Sequence, residues 1–243
     1  MNKVYVVGLG PGGAQGMTAA ARTALEQADV ICGYTVYLDL VAPLFPGKEM
    51  RSTPMTKEVD RCRMALELAA GGRTSALVCS GDAGVYGMAS PLLELAGEYP
   101  DVEVEVIPGV TAALAGAAVL GAPLGHDFCI VSLSDLLTPW EVIEKRLRAA
   151  VAGDFILCLY NPASRHRKDH LRRACEILLD AGLSPDTACG WVRNIGREGQ
   201  TSQLLTLARL RDAQVDMFTT VFVGSTRTKI QDGRLLTPRG YRA

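Results

Sequence analysis

At 243 residues, 48% hydrophobic and 21% charged, the chain has the composition of a globular protein with ample core, in one large domain or two of ordinary size. A formal net charge of −1 offers no electrostatic footprint for nucleic acid, and no apolar run approaches the roughly 20 residues of a membrane-spanning helix. The amino terminus enters a strand pattern at once and shows no signal peptide, so the cytoplasm is the expected location.

Lys3–Gly8 predicts a buried strand, and Gly8-Leu9-Gly10-Pro11-Gly12-Gly13 follows it. That spacing satisfies the dinucleotide fingerprint G-x-G-x-x-G, and Asp29 stands about where a ribose acceptor would be. Two details oppose a pyrophosphate there. Pro11 removes a backbone donor from the loop, and helical periodicity begins only at Thr18. A helix over Thr18–Ala28 leads to a short strand, Asp29–Gly33. Tyr34 and Tyr37 then fall in a loop, placed either to cover a flat ligand or to pack between elements. Lys57–Ala70 predicts a helix with Val59, Cys62, Leu66 and Ala69 on one stripe.

The next segment is the most informative. An apolar run, Ser75–Cys79, ends in Ser80-Gly81-Asp82-Ala83-Gly84-Val85-Tyr86-Gly87, and a helical run from Pro91 to Ala96 follows. Three glycines in seven residues let backbone amides approach a ligand that a β-carbon would obstruct. Val102–Ile107 alternates acidic and apolar residues, as a strand with one solvated face does. Pro108-Gly109-Val110-Thr111 then turns into an apolar helix over Val110–Leu120, where Thr111 either caps the helix or offers its hydroxyl to a ligand. In an open α/β sheet ligands bind beyond the carboxyl ends of the strands, so these turns are expected to share one crevice.

Gly121–Gly125 reads as a linker, dividing the chain into α/β domains at 1–120 and 121–243. The second half predicts a strand at Phe128–Leu133 and a helix at Pro139–Ala150 capped by Thr138. A strand at Phe155–Tyr160, a helix at Arg167–Ala181, and strands at Ala188–Arg193 and Thr219–Gly224 complete it. The seven cysteines include no C-x-x-C and lie in strand-like or helical runs, which favours buried reduced thiols over a zinc or iron–sulfur site. His166 and His170 have the i, i+4 spacing of a metal pair. Their neighbours Arg165, Arg167, Lys168, Arg172 and Arg173 would repel a cation, so a solvated basic helix start is expected and no metal is assigned.

Together, Gly8-Leu9-Gly10-Pro11-Gly12, Ser80-Gly81-Asp82 with Val85-Tyr86-Gly87, and Pro108-Gly109-Val110-Thr111-Ala112 resemble the tetrapyrrole methylase family. Four further segments resemble its branch acting at C17 of precorrin-3: Gly33–Leu38, Gly121–Phe128, Ser132–Trp140 and Leu159–Pro162. The resemblance covers essentially the whole chain. It implies an α/β fold of two domains with the active site between them, S-adenosylmethionine as methyl donor and S-adenosylhomocysteine as product. It further implies precorrin-3B or cobalt-precorrin-3 as substrate, ring contraction coupled to methylation, a place in cobalamin biosynthesis, and a homodimer. Gly81, Asp82, Val85, Thr111 and Ala112 are then expected at the donor, joined from the second domain by Tyr160, Asn161, Asn194 and Thr220. Many relatives have Tyr-Met where this chain has Tyr160-Asn161, so Asn161 is expected at donor, substrate or both. Gly10, Pro11 and Gly12 would face the macrocycle, with Tyr34 stacked on it. Its acidic arms would meet Arg165, with Arg51, Lys57, Arg167 and Arg197 as further candidates. Ring contraction moves a proton on an oxygen, so an acid or base is expected among His126, Asp127 and Asp135.

Overall fold

The structure, a computed structural model, describes residues 2–54, 57–164 and 166–241. The chain divides into two compact units, Met1–Ala112 and Ala113–Ala243.

The first unit alternates strand and helix: β1 (Lys3–Gly8), α1 (Ala19–Gln27), β2 (Val30–Tyr34), α2 (Thr35–Val41), β3 (Glu49–Thr53), α3 (Glu58–Ala70), β4 (Thr74–Cys79), α4 (Ala89–Ala96) and β5 (Glu103–Ile107). The five strands form one parallel sheet in the order β3-β2-β4-β1-β5. Near-continuous apolar runs suit such a sheet because helices cover both faces. Val4, Val6, Val30, Cys32, Leu77 and Cys79 pack with α3 and α4. Their alternates Tyr5, Val7, Ile31, Ala76 and Val78 pack with α1 and α2. At the β5 edge, Lys3 pairs with Glu103 and Glu105 at 2.8 and 2.7 Å, which explains that strand's acidic alternation.

The structure differs from the sequence expectation at α2 and α3. The segment holding Tyr37 is the helix α2 rather than a loop. On α3 the buried stripe is Arg61, Cys62, Ala65, Leu66 and Ala69, whereas Val59 is 52% exposed.

The second unit contains nearly all of α5 (Ala112–Leu120), then β6 (Gly121–Ala122), β7 (Phe128–Ser132), α6 (Trp140–Ala152), β8 (Ile156–Tyr160) and α7 (His170–Asp180). β9 (Ala188–Arg193), β10 (Thr201–Thr206), α8 (Leu207–Leu210), β11 (Thr219–Val223), β12 (Lys229–Gln231) and β13 (Arg234–Leu236) follow. Its main sheet is mixed, in the order β10-β9-β11-β8-β7: β7 and β8 run parallel, and the other neighbours are antiparallel. Ile143 and Leu147 of α6 and Leu171 and Leu178 of α7 bury one face against Leu157, Leu159, Val221 and Val223. The wholly apolar α5 packs on Phe222, so closely that a β-carbon at Gly116 would stand 2.9 Å from its ring.

Gly121 and Ala122 pair with Leu235 and Leu236. The β12–β13 hairpin turns on Asp232 and Gly233, both at positive φ, as a two-residue primed turn requires. Helix α6 starts one residue later than expected, with Pro139 rather than Thr138 at its N-cap and no side-chain capping bond. Helix α7 starts at His170, not Arg167. β11 is not the final strand, since the hairpin lies beyond it.

Candidate active site

In the first unit, three glycine turns at the carboxyl ends of β1, β4 and β5 are knitted into one edge. Gly10 and Gly81 exchange both main-chain bonds, N–H to carbonyl, at 2.9 and 2.8 Å. Asp82 receives the Gly84 amide on Oδ1 at 2.8 Å and the Gly109 amide on Oδ2 at 2.9 Å. The Thr18 hydroxyl donates to the Pro108 carbonyl at 3.2 Å and accepts the Ala21 amide at 3.1 Å. Glycine is required because the turns nearly touch. A β-carbon at Gly109 would stand 2.1 Å from the Gly81 oxygen, and one at Gly8 would stand 2.7 Å from the same atom.

This network disposes of the dinucleotide reading. The Gly10 amide is spent on Gly81, Thr18 caps α1 with its own hydroxyl, and Asp29 accepts the Thr74 amide at 2.7 Å. Asp82 shapes the loop by tying the amides of Gly84 and Gly109 to its two carboxylate oxygens. Gly81 opens on the expected partners: a β-carbon there would rest 3.7 Å from the Thr111 Cα and 3.8 Å from the Ala112 nitrogen. Val85, further along the same turn, is half-buried, and Pro11 and Gly12 continue the turn after Gly10. Tyr86, missed from sequence, is 59% exposed on this loop with φ 52°, a conformation unfavourable for a bulky residue. Such outliers concentrate at functional sites. Tyr34 ends β2, with its ring edge-on to Tyr37 at 5.5 Å.

In the second unit the corresponding edge is built from side chains. Tyr160 and Arg193 end β8 and β9, and the next residues, Asn161 and Asn194, both take positive φ (53° and 52°). β11 enters at this edge, where Thr220 is buried opposite Val192. The Tyr160 hydroxyl accepts the Ala113 amide at 2.7 Å, and the Asn161 amide group donates to the Ser132 hydroxyl at 2.9 Å. All four expected residues of this unit thus gather at one edge.

The three acid–base candidates do not gather. Asp135 follows the carboxyl end of β7, on the same edge as Asn161. His126 and Asp127 precede the strand, at its opposite end, where both are exposed and His126 Nε2 lies 3.4 Å from Arg227. Asp135 meets His170 Nε2 at 3.1 Å. The imidazole beside it holds the Asp135 carboxyl below its ordinary range. His170 is buried at the start of α7 against Trp140, ring centres 4.9 Å apart, and Arg173 stacks 4.0 Å over the same indole. The expected solvated helix start therefore holds for His166, which is exposed, and fails for His170.

Of the candidates for acidic arms, Arg51 pairs with Glu49 and Lys57 with Asp60. Arg167 instead bonds to the Ser134 and Ser164 hydroxyls. Arg165 lies outside the described residues. All seven cysteines are free, and burial pushes the thiols up, Cys32 to about 12 and Cys79 to about 11. Among the described residues no three His, Cys, Asp or Glu side chains are grouped to hold a metal ion, and no helix is long and apolar enough to cross a membrane.

Comparison with known proteins sets this geometry in context. Residues 3–211 match the model of the family described as Tetrapyrrole (Corrin/Porphyrin) Methylases. A probable cobalt-factor III C(17)-methyltransferase from Salmonella typhimurium is 49% identical over 237 residues, covering 97% of this chain and 98% of its own. The crystal structure of the methyltransferase CobJ superposes with a TM-score of 0.89 at 41% identity, covering 97% of this chain and 99% of its own. A uroporphyrin-III C-methyltransferase from Thermus thermophilus, solved with S-adenosyl homocysteine, shares the fold at TM-score 0.70 and 24% identity, over 91% of this chain and 92% of its own.

Proposed function

The chain belongs to the tetrapyrrole methylases, and from that premise we propose that it methylates C17 of a cobalt-bound tetrapyrrole in cobalamin biosynthesis, with S-adenosylmethionine as donor. The observation that carries this reading is the 49% identity to the Salmonella relative, sustained through both units. That relative's name also favours a cobalt-bound substrate, cobalt-factor III, over metal-free precorrin-3B.

The residues present fit such a donor. At Gly81 the turn comes so near the Thr111–Ala112 segment that a β-carbon would rest 3.7 Å from Thr111 and 3.8 Å from Ala112, and the apolar Val85 is half-buried on the same turn. The donor brings a methyl group already activated on a sulfonium, and an electron-rich ring carbon is its acceptor. What remains for the protein is alignment, which lowers a barrier by several kcal/mol when reacting atoms are held about 3 Å apart. In this reading the first unit, with the Gly10–Gly12 turn and Tyr34, receives the macrocycle and one side of the donor. Tyr160, Asn161, Asn194 and Thr220 are the donor residues proposed for the second unit. Division at 120/121 would leave these roles unchanged.

For ring contraction, Asp135 is the proposed proton acceptor. Its carboxyl is held below the ordinary range, and His170 Nε2 lies 3.1 Å from it. His126 and Asp127 are set aside because they stand at the wrong end of β7. The proposed assembly is a cytoplasmic homodimer. The wholly apolar α5, with Leu114 52% exposed, supports self-association.

Anaerobic incubation with S-adenosylmethionine and either cobalt-factor III or its metal-free counterpart, followed by mass spectrometry, tests the reading. Gain of one methyl group on the cobalt-bound ring is expected. No gain on either ring, despite donor binding, would redirect the assignment to another tetrapyrrole carbon or to a binding protein.

A further inference from the structure

Arg61 is a buried cation whose described partners are all neutral. Only 4% of the residue is exposed. Its Nε donates to the Thr53 hydroxyl at 2.8 Å and one terminal nitrogen to the Pro54 carbonyl at 3.0 Å. The other terminal nitrogen faces the Met88 sulfur at 3.8 Å, and the guanidinium carbon lies 5.9 Å from the centre of the Tyr34 ring. The first unit's other arginines, Arg22, Arg51, Arg63 and Arg73, each pair with a glutamate, although they are more exposed and need a counter-ion less. A buried guanidinium cannot escape its charge by losing a proton, so it requires an anion or a full set of acceptors.

The position of this charge matters as much as its isolation. Tyr34 and Thr53 end β2 and β3, and Met88 leads into α4 at the close of the Gly81–Gly87 turn. The guanidinium therefore stands at the ligand edge of the parallel sheet. It lies on the β2–β3 side, while the Gly109 turn after β5 closes the other side. We infer that Arg61 is the receptor for a carboxylate arm of the macrocycle, an anionic subsite on this edge; the inference rests on the reading of the protein as a tetrapyrrole methylase. A guanidinium fork matches a carboxylate through two parallel hydrogen bonds, which an ammonium cannot reproduce. Tyr34, held above the fork, would then guide the ring whose arm Arg61 takes.

The test uses the full-length protein, cobalt-factor III, and the same ring with its acid arms converted to primary amides. Binding of each ring and of S-adenosylmethionine is measured for wild type, Arg61→Met and Arg61→Lys. Amidation should weaken wild-type binding. In Arg61→Met the free acid should bind roughly 10- to 100-fold more weakly, amidation should add no comparable loss, and donor affinity should stay within about twofold. Arg61→Lys keeps the charge without the fork and should fall between; it also decides the matter should the Met variant fail to fold. Wild-type affinity for the free acid in Arg61→Lys, or an undiminished amidation penalty in Arg61→Met, would overturn the inference. A selective loss of donor binding would overturn it too, by assigning Arg61 to the donor's own carboxylate. Failure of the functional reading is visible separately, as a wild-type protein that transfers no methyl group.

Discussion

The two sheets meet the problem of a ligand edge with different materials. In the first unit the edge is backbone: Gly8, Gly10, Gly81 and Gly109 pack main chain against main chain, with Asp82 and Thr18 as ties. In the second it is side chains: Tyr160, Asn161, Ser132, Asp135 and Asn194. A backbone edge is rigid and tolerates almost no substitution, whereas a side-chain edge can be altered residue by residue without moving the strands beneath it. The first therefore suits a group common to many reactions, and the second suits whatever distinguishes one reaction from another.

The sharpest way to break this contrast is Gly109→Ala. Its new methyl would stand 2.1 Å from the Gly81 oxygen, so the turns must separate. We expect a loss of about 1–3 kcal/mol or more in stability and loss of donor binding, read by thermal unfolding and S-adenosylmethionine titration. Normal donor affinity would show that the fused turns are not the donor's cradle. Asp82→Ala removes the acceptor for two amides and should cost about 1.5–3 kcal/mol, while Asp82→Asn retains one acceptor oxygen and should recover part of it. Equal losses in the two variants, by denaturant titration, would mean that charge and not the tie is what matters.

On the side-chain edge, Asn161 separates conformation from chemistry. Asn161→Gly keeps the positive φ and loses the bond to Ser132; Asn161→Ala loses both and should be less stable than the glycine variant by about 1 kcal/mol. Turnover should fall in both, with stability nearly intact in the glycine variant. The smallest expected effect concerns pH. Because His170 lowers the folded pKa of Asp135, the stabilisation from their contact is present above the ordinary carboxylate range and disappears as the pH falls through the lowered value. Urea midpoints compared at neutral and acid pH should drop slightly more for wild type than for Asp135→Asn. An identical acid response would sink the pairing.

Legibility followed burial. β1 and β9 were readable to the residue, since their runs are apolar and bounded by clear signals. The three glycine turns were visible for the same reason, because each follows such a strand. α2 was hidden by its aromatic and β-branched residues, which suit a strand or loop as well as a helix. β10, Thr-Ser-Gln-Leu-Leu-Thr, is a half-exposed edge without clean alternation. The Asp232-Gly233 hairpin carries a turn signal, but its three-residue strands are too short to show alternation. Arg61 is concealed by its charge: helical spacing fits an apolar stripe through Val59 as well, and nothing local says that an arginine beside Cys62 points inward. His170 was judged by its basic neighbours in sequence, whereas Trp140 and Asp135 set its surroundings in space.

The fused turns of the first unit also impose an order of assembly. Their contacts join residues near 8–18, 81–84 and 108–109, so every tie but the local ones spans much of the unit, and loop closure must precede any gain. During synthesis the amino-terminal helices and inner strands can pair early, but the Gly8–Gly81–Gly109 junction waits for β5 to dock. A nascent chain halted before Pro108 would accordingly hold a partial sheet whose three-turn rim is unfinished, lacking the Gly109 amide that Asp82 ties down.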